Sequence, residues 1–357
     1  MATPQALHAA LDALIDPLLG KGLVAAGAVK SAEVAGGRAR VVLDLGFPAA
    51  GYRDTLAANV RAAVRTALGV DADVEIGWTL QSHAVQKNLK PMPGIRNIIA
   101  VASGKGGVGK STVAVNLALA LQADGAKAGI LDADIYGPSQ PLMLGSKDRP
   151  SSPDGKHMNP IQAHGLQAMS IGFLIEEDQP MIWRGPMVTQ ALQQMLAETV
   201  WDDLDYLVID LPPGTGDIQL SLAQRVPISG AVIVTTPQDI ALLDARKALQ
   251  MFKRVEVPVL GIVENMSTHV CGKCGHEEAI FGAGGGERLA QQYGVELLGQ
   301  VPLDIKIREQ ADGGRPTVAA EPDSPLARRY RDIARKAMAR MAGVPAKSFP
   351  TIEVTDD

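Results

Sequence analysis

Residues Gly104-Lys105-Gly106-Gly107-Val108-Gly109-Lys110-Ser111-Thr112 limit what this chain can fold into more than any other stretch. They follow an apolar run, Ile98–Ala102, that reads as a buried strand, and they open a pattern in which Val113, Leu117, Ala120 and Leu121 recur at helical spacing. A strand, a glycine-rich turn and a helix in that order form a phosphate-binding loop. Glycine at 104, 106, 107 and 109 lets the backbone curl until successive N–H groups point inward. At a helix N-terminus such a row of donors binds phosphate oxygens. Lys110 places a positive charge at the β- and γ-phosphates, and Ser111 offers its hydroxyl to Mg²⁺. Val108 and Thr112 complete the loop. The expected fold is therefore α/β, with a mostly parallel sheet covered by helices on both faces.

The rest of the chain suits that core. Of 357 residues, 46% are hydrophobic but only 4% aromatic, so Leu, Val, Ile and Ala must fill the interior. The formal net charge of −5 argues against a dedicated nucleic-acid binder. No apolar run approaches the length of a membrane span. Met1 to Ala10 show no basic start followed by an apolar stretch, so no secretory signal is expected. Two cysteines only three positions apart exclude a disulfide framework, and the expected compartment is a reducing cytoplasm.

Ahead of the loop, an amphipathic helix is expected over 4–18 through Leu7, Leu11, Leu14 and Ile15. Strands follow at Val29–Val34 and Ala39–Leu45 about a Gly36-Gly37 turn, then a helix over 51–68 and a strand at Val74–Trp78. That order, α-β-β-α-β, makes a small α+β domain over residues 1–80. Residues 81–95 read as a linker, 96–343 as the nucleotide domain and 344–357 as a disordered acidic tail. Further strands are expected at Ala128–Leu131, Leu207–Leu211, Ala231–Thr235, Val259–Val263 and Leu297–Val301. Residues 136–185, rich in Gly, Pro and Ser, read as a mobile lid or hairpin, and 323–342 as a last helix.

Three further constellations carry chemistry. Asp132 and Asp134 stand at the carboxyl end of the second strand of the nucleotide domain, where loops build active sites in parallel sheets. Asp210 ends the apolar run before Pro212-Pro213-Gly214-Thr215-Gly216-Asp217 and is placed to hold Mg²⁺. Cys271-Gly272-Lys273-Cys274 puts two sulfurs within reach of one metal ion. That spacing allows a redox pair, a zinc site with His269 and His276, or one half of a four-thiolate site completed by a second copy.

Lys105, inside the loop, resembles the extra lysine of the deviant phosphate loop in the MinD/ParA/ArsA group of ATPases. That resemblance implies a dimer in which Lys105 reaches the partner's nucleotide. Asp132-x-Asp134-x-x-Gly137-Pro138-Ser139, Trp183-Arg184-Gly185-Pro186-Met187, Asp210 to Asp217, Glu264-Asn265-Met266-Ser267 and Cys271-x-x-Cys274-Gly275-His276 together resemble the Mrp/ApbC-type iron–sulfur cluster carriers. Asp16-Pro17 and the Phe47–Gly51 loop resemble the iron–sulfur assembly domain fused to many of them, although no cysteine lies near that loop here. The resemblance implies Mg²⁺-dependent ATP hydrolysis, with Lys105, Lys110 and Asp134 catalytic and Asp134 acting on the attacking water. It implies that Asn265 and Pro302 line the adenine pocket. It also implies a [4Fe–4S] cluster bridging a homodimer through Cys271 and Cys274. Upstream scaffold proteins and apo client proteins are the implied partners, with no nucleic acid and no stable membrane contact. The alternative is a positioning ATPase of the MinD/ParA kind, with the basic helix near residues 326–341 lying on a membrane.

Overall fold

The structure is a computed structural model and describes residues 3–83, 86, 89–175 and 185–344. Trp183, Arg184 and the expected tail from residue 345 onward lie outside the described residues.

The N-terminal unit comprises α1 (Pro4–Ala13), β1 (Ile15–Asp16), β2 (Lys21–Gly22), β3 (Val29–Ala35), β4 (Arg38–Asp44), α2 (Arg53–Leu68) and β5 (Asp71–Gly77). β3 pairs antiparallel with β4, and β4 parallel with β5. The turn at Gly36 and Gly37 has φ of 58° and 75°, the doubly left-handed backbone that matches strand twist in a two-residue hairpin. The first helix is shorter than its apolar pattern suggests. It stops at Ala13, and Ile15 is exposed in a two-residue strand paired with Lys21 and Gly22. Pro17 cannot continue a helix, and Asp16 Oδ1 instead accepts from the Leu18 and Leu19 amides at 2.9 and 3.0 Å.

The larger unit runs β6 (Ile95–Ala102), α3 (Lys110–Ala123), β7 (Ala128–Asp132), α4 (Gln140–Leu144), β8 (Ile161–Ala163), β9 (Leu166–Ser170), α5 (Gly185–Glu198), β10 (Leu204–Asp210) and α6 (Asp217–Arg225). It continues with β11 (Gly230–Thr235), α7 (Asp239–Arg254), β12 (Val259–Val270), β13 (Glu277–Glu278), α8 (Gly285–Tyr293), β14 (Leu297–Leu303), α9 (Ile305–Asp312), α10 (Thr317–Ala320) and α11 (Pro325–Ala342). Its sheet has the order β13-β12-β11-β6-β10-β7-β9-β8, with β14 also pairing β12. β6 is central and parallel to both neighbours, β10 and β11. Alternation along β6 feeds two cores: Ile98, Ala100 and Ala102 face α5 to α8, while Ile99 and Val101 face α3 and α11.

Of the two forms expected for 136–185, the described residues give the hairpin rather than the lid: α4 is followed by an antiparallel β8–β9 pair, and β9 extends the sheet in parallel beside β7. The helix expected after the phosphate loop is α3; every residue from Val113 to Leu121 is buried, and it lies enclosed between the sheet and α11. The described part of 81–95 does not hang free. The His83 amide donates to Asn97 Oδ1 at 3.0 Å, Gln86 Nε2 donates to the Ala223 carbonyl at 2.8 Å, and β6 already begins at Ile95. α11 presses Tyr330, Ile333, Met338 and Met341 into the core, so its apolar face is not available to a membrane. Among the described residues no helix is long and apolar enough to cross one.

The two units share one core. Asp124, fully buried directly after α3, accepts from Arg335 Nε and Nη2 at 2.7 and 2.8 Å and from the Gly51 amide at 3.1 Å. Its own carbonyl accepts from the Ala50 amide at 3.0 Å. The Phe47–Gly51 loop is therefore used for docking. A Cβ on Gly51 would lie 2.2 Å from Arg331 Nη2, which leaves room only for glycine.

Candidate nucleotide and thiol sites

The loop between β6 and α3, Asp132 at the end of β7 and Asp210 at the end of β10 lie at the carboxyl edge of adjacent parallel strands. The order β11-β6-β10-β7 puts that edge at the point where the chain's winding reverses, where ligands bind in open α/β sheets. Gly104 approaches α7 so closely that a Cβ would stand 2.1 Å from the Asp244 backbone. Gly109, at φ 78°, leaves 2.2 Å between a Cβ and Asn265 Nδ2. Gly106 and Gly107 are exposed at the tip with nothing within 4 Å of a Cβ, and Lys105 beside them is half-buried. Val108 is buried beneath the loop, and Ser111 and Thr112 are half-buried on the first turn of α3.

Lys110 and Asp210 are brought together as a buried ion pair. Lys110 Nζ also reaches Ser111 Oγ at 3.3 Å. The residues expected to bind phosphate and magnesium thus meet within one site. Asp132 has a different part. Its Oδ1 accepts from the Asp134 amide at 3.1 Å; its Oδ2 accepts from the Ser139 and Gln140 amides, both at 3.0 Å, and from Ser170 Oγ at 3.1 Å. Burial and the negative charge of Asp210 push its carboxyl up to about 7, and the converging amides and Lys110 offset only part of that rise. With four donors engaged, Asp132 fixes the 134–140 turn, leaving Asp210 and Ser111 as the oxygens nearer a metal. Asp134 is also pushed up by burial, against the opposing pull of Lys110 and of the Gly137 and Tyr136 amides. A raised carboxyl is a better proton acceptor than an ordinary one.

Oxygen donors of this type, a carboxylate and a hydroxyl, fit a hard cation such as Mg²⁺. A buried acceptor, Gln140 Oε1, also has no partner among the described residues. Gln140 and Ser170 escaped the sequence reading. Nothing in their local pattern marks them, because their importance lies in contacts 70 and 38 positions away.

Asn265 lies within β12 rather than after it, since that strand runs on to Val270. Its Nδ2 donates to the Val108 carbonyl at 2.8 Å, which ties the strand to the phosphate loop. Met266 follows at φ 55°, where the register with β14 shifts, the mark of a bulge. Pro302, buried in β14, follows Val301, the pairing partner of Asn265.

Beyond the bulge β12 ends at the cysteine knuckle. The Cys271 amide donates to the His276 carbonyl and the Gly275 amide to the Cys271 carbonyl, both at 2.8 Å, as the chain turns into β13. Gly275, at φ 71°, makes that turn possible. The Cys274 and Lys273 amides and the Cys274 thiol all donate to the Cys271 sulfur and lower its pKa. Lys273 therefore favours the thiolate through its backbone. No helix starts at this pair, as a thioredoxin-type redox motif would need. Among the described residues no three or more His, Cys, Asp or Glu side chains converge on a metal position, which opposes a zinc site built with His269 and His276.

Comparison with known proteins decides the family. Residues 94–338 match the family described as NUBPL iron-transfer P-loop NTPase, and residues 4–77 match that described as iron–sulfur cluster assembly protein. The chain belongs to the NUBPL iron-transfer P-loop NTPase family. An iron–sulfur cluster carrier protein of Haemophilus influenzae is 56% identical over 326 residues, spanning 90% of this chain and 87% of that one. Among solved structures, a nucleotide-binding protein of Archaeoglobus fulgidus in complex with ADP superposes with a TM-score of 0.57. It is 38% identical and covers 66% of this chain and 91% of its own. The cell-division ATPase MinD of Pyrococcus furiosus gives a TM-score of 0.50 at 25% identity, covering 67% and 97%. The α/β fold with a mostly parallel sheet is thus that of the MinD/ParA-like P-loop NTPases.

Proposed function

We propose that this protein is an ATP-hydrolysing carrier that holds a [4Fe–4S] cluster between two copies of itself and passes it to apo-proteins. One observation carries the proposal: the only two cysteines, Cys271 half-buried and Cys274 exposed, form a knuckle at the end of the strand that grips the phosphate loop, and among the described residues no group of three or more His, Cys, Asp or Glu converges there. A tetrathiolate cluster needs four sulfurs, so a symmetric dimer supplies the other pair. The cluster is cargo, received from scaffold proteins and handed on to clients in the cytoplasm. A labile site of few ligands in an open turn suits release. The naming of the Haemophilus influenzae relative as a carrier supports the same reading.

In the nucleotide site, the loop amides of 106–111 and Lys110 bind phosphate, and Asn265 and Pro302 lie on the side where adenine would sit. Asn265 keeps Oδ1 and a second N–H for the base while holding Val108. Ser111 and Asp210 would hold Mg²⁺, whose contribution is to neutralise charge on the phosphates. Asp134 orients the attacking water and takes its proton. Lys105, at the exposed tip, reaches the nucleotide of the partner copy, and dimerisation completes both the ATP site and the cluster site. The test is cluster transfer. Anaerobically reconstituted protein should restore activity to an apo-enzyme that requires a [4Fe–4S] cluster. Failure of transfer from a fully loaded protein would overturn the carrier role.

A further inference from the structure

Gln140 opens α4, is 1% exposed, and touches both halves of the nucleotide site. Its Nε2 donates to Asp210 Oδ2 at 3.0 Å and to the Ser111 carbonyl at 3.1 Å. Both partners are acceptors, so the orientation of the amide is not arbitrary: the NH₂ faces them and Oε1 points away. That oxygen is fully buried and has no hydrogen-bond partner among the described residues. Ser139 Oγ, one residue earlier, is likewise buried without a partner.

A buried acceptor left unpaired is costly, so a site that keeps one is built to receive a donor. Gln140 is also fastened from behind, because its own amide donates to Asp132 Oδ2. The side chain thus stands on a backbone already clamped by Asp132, with Nε2 on the Asp210 carboxylate and the Ser111 carbonyl and Oε1 left without a partner among the described residues.

We propose that Gln140 is a positioning residue of the magnesium–nucleotide site. Its Nε2 fixes the Asp210 carboxylate against the Ser111 turn, and its Oε1 accepts a hydrogen bond from a water ordered there. This role rests on the proposed function, and it separates two tasks within the site. Phosphate binding belongs to the loop and Lys110, whereas metal-dependent tightening belongs to Asp210, Ser111 and Gln140.

The test uses the full chain and a fluorescent ATP analogue, titrated with and without Mg²⁺. Gln140→Met keeps the volume and removes both hydrogen-bonding functions; Gln140→Asn is a milder variant that withdraws the same amide by one methylene. Gln140→Met should lose about tenfold of the Mg²⁺-dependent gain in affinity, as expected when the Asp210 carboxylate loses a buried donor, and Gln140→Asn should lose less. Their Mg²⁺-free affinity should match that of the unmodified protein, and the Mg²⁺ concentration for half-maximal binding should rise. Equal loss with and without Mg²⁺ would mean that Gln140 only packs the turn, and no loss in either condition would mean that it does nothing at the metal; either result overturns the proposal. Absence of nucleotide binding by the unmodified protein would instead defeat the ATPase reading itself.

Discussion

Asp124 offers the sharpest test of how the two units are held together. Its carboxylate is fully buried and receives a two-pronged contact from Arg335 at 2.7 and 2.8 Å, with Arg331 at 3.8 Å and the Gly51 amide at 3.1 Å. Arg335 and Arg331 are themselves only 11% and 19% exposed. Asp124→Ala therefore strands two nearly buried guanidinium groups. Breaking a buried pair from one side costs about 3–5 kcal/mol. Arg335 keeps Asp332, but that partner is exposed and offsets less than about 1 kcal/mol, so the expected cost is about 3 kcal/mol. That corresponds to a roughly 100- to 200-fold shift in the unfolding equilibrium. Urea denaturation of Asp124→Ala, Arg335→Ala and the double variant reads the coupling directly. Because removing either partner leaves the other buried alone, the double variant should be at least about 2 kcal/mol more stable than the sum of the singles predicts. ATP affinity should not change, since α3 places the phosphate loop about 20 Å away at its other end. Additivity within about 0.5 kcal/mol would refute the buried-pair argument.

Three other outcomes are expected. Lys110→Ala should weaken nucleotide binding roughly 10- to 100-fold by equilibrium titration, the range for a charge-assisted hydrogen bond, whereas Asp134→Ala should keep affinity and lose about 100-fold or more in turnover. Equal loss of binding in both would cancel that division of roles. Lys105→Ala alone should bind nucleotide but hydrolyse it poorly, and mixing it with Asp134→Ala chains should restore part of the turnover because one composite site is then intact; no rescue would confine Lys105 to its own chain. The Cys271 thiol, lowered by the Cys274 and Lys273 amides, should remain ionised at a pH where an ordinary thiol, near about 8.5, is protonated. Its alkylation rate, followed by peptide mass spectrometry, should therefore reach half-maximum below that pH, and a midpoint at or above it would contradict the geometry of the knuckle.

The nucleotide half of this protein is legible in the sequence because its signals are local. A phosphate loop needs glycines at fixed positions, and strands buried on both faces read as apolar runs, so Ile98–Ala102 and Leu207–Asp210 announce themselves. The errors come from contacts between distant residues. Nothing around 161–170 reveals that β9 pairs with β7, because strands of three and five residues carry little pattern of their own. The helical spacing in 4–18 continues past the point where Pro17 and the Asp16 turn end the helix. The strand through Asn265 to Val270 was cut short because polar residues there break the apolar run, yet Asn265 and Ser267 are buried by bonds to the Val108 and Val301 carbonyls. Gln140 is the extreme case: a single polar residue whose partners, Ser111 and Asp210, come together only in the folded chain.

The most direct measurement of the central claim is iron content against oligomeric mass after anaerobic reconstitution, read by native mass spectrometry. A cluster shared by Cys271 and Cys274 of two copies should appear as a dimer with about four iron atoms, or about two per chain. Cys271→Ser or Cys274→Ser should lose iron and the cluster-linked dimer together while keeping ATP affinity. A monomer carrying a full cluster, or undiminished iron in either serine variant, would contradict it.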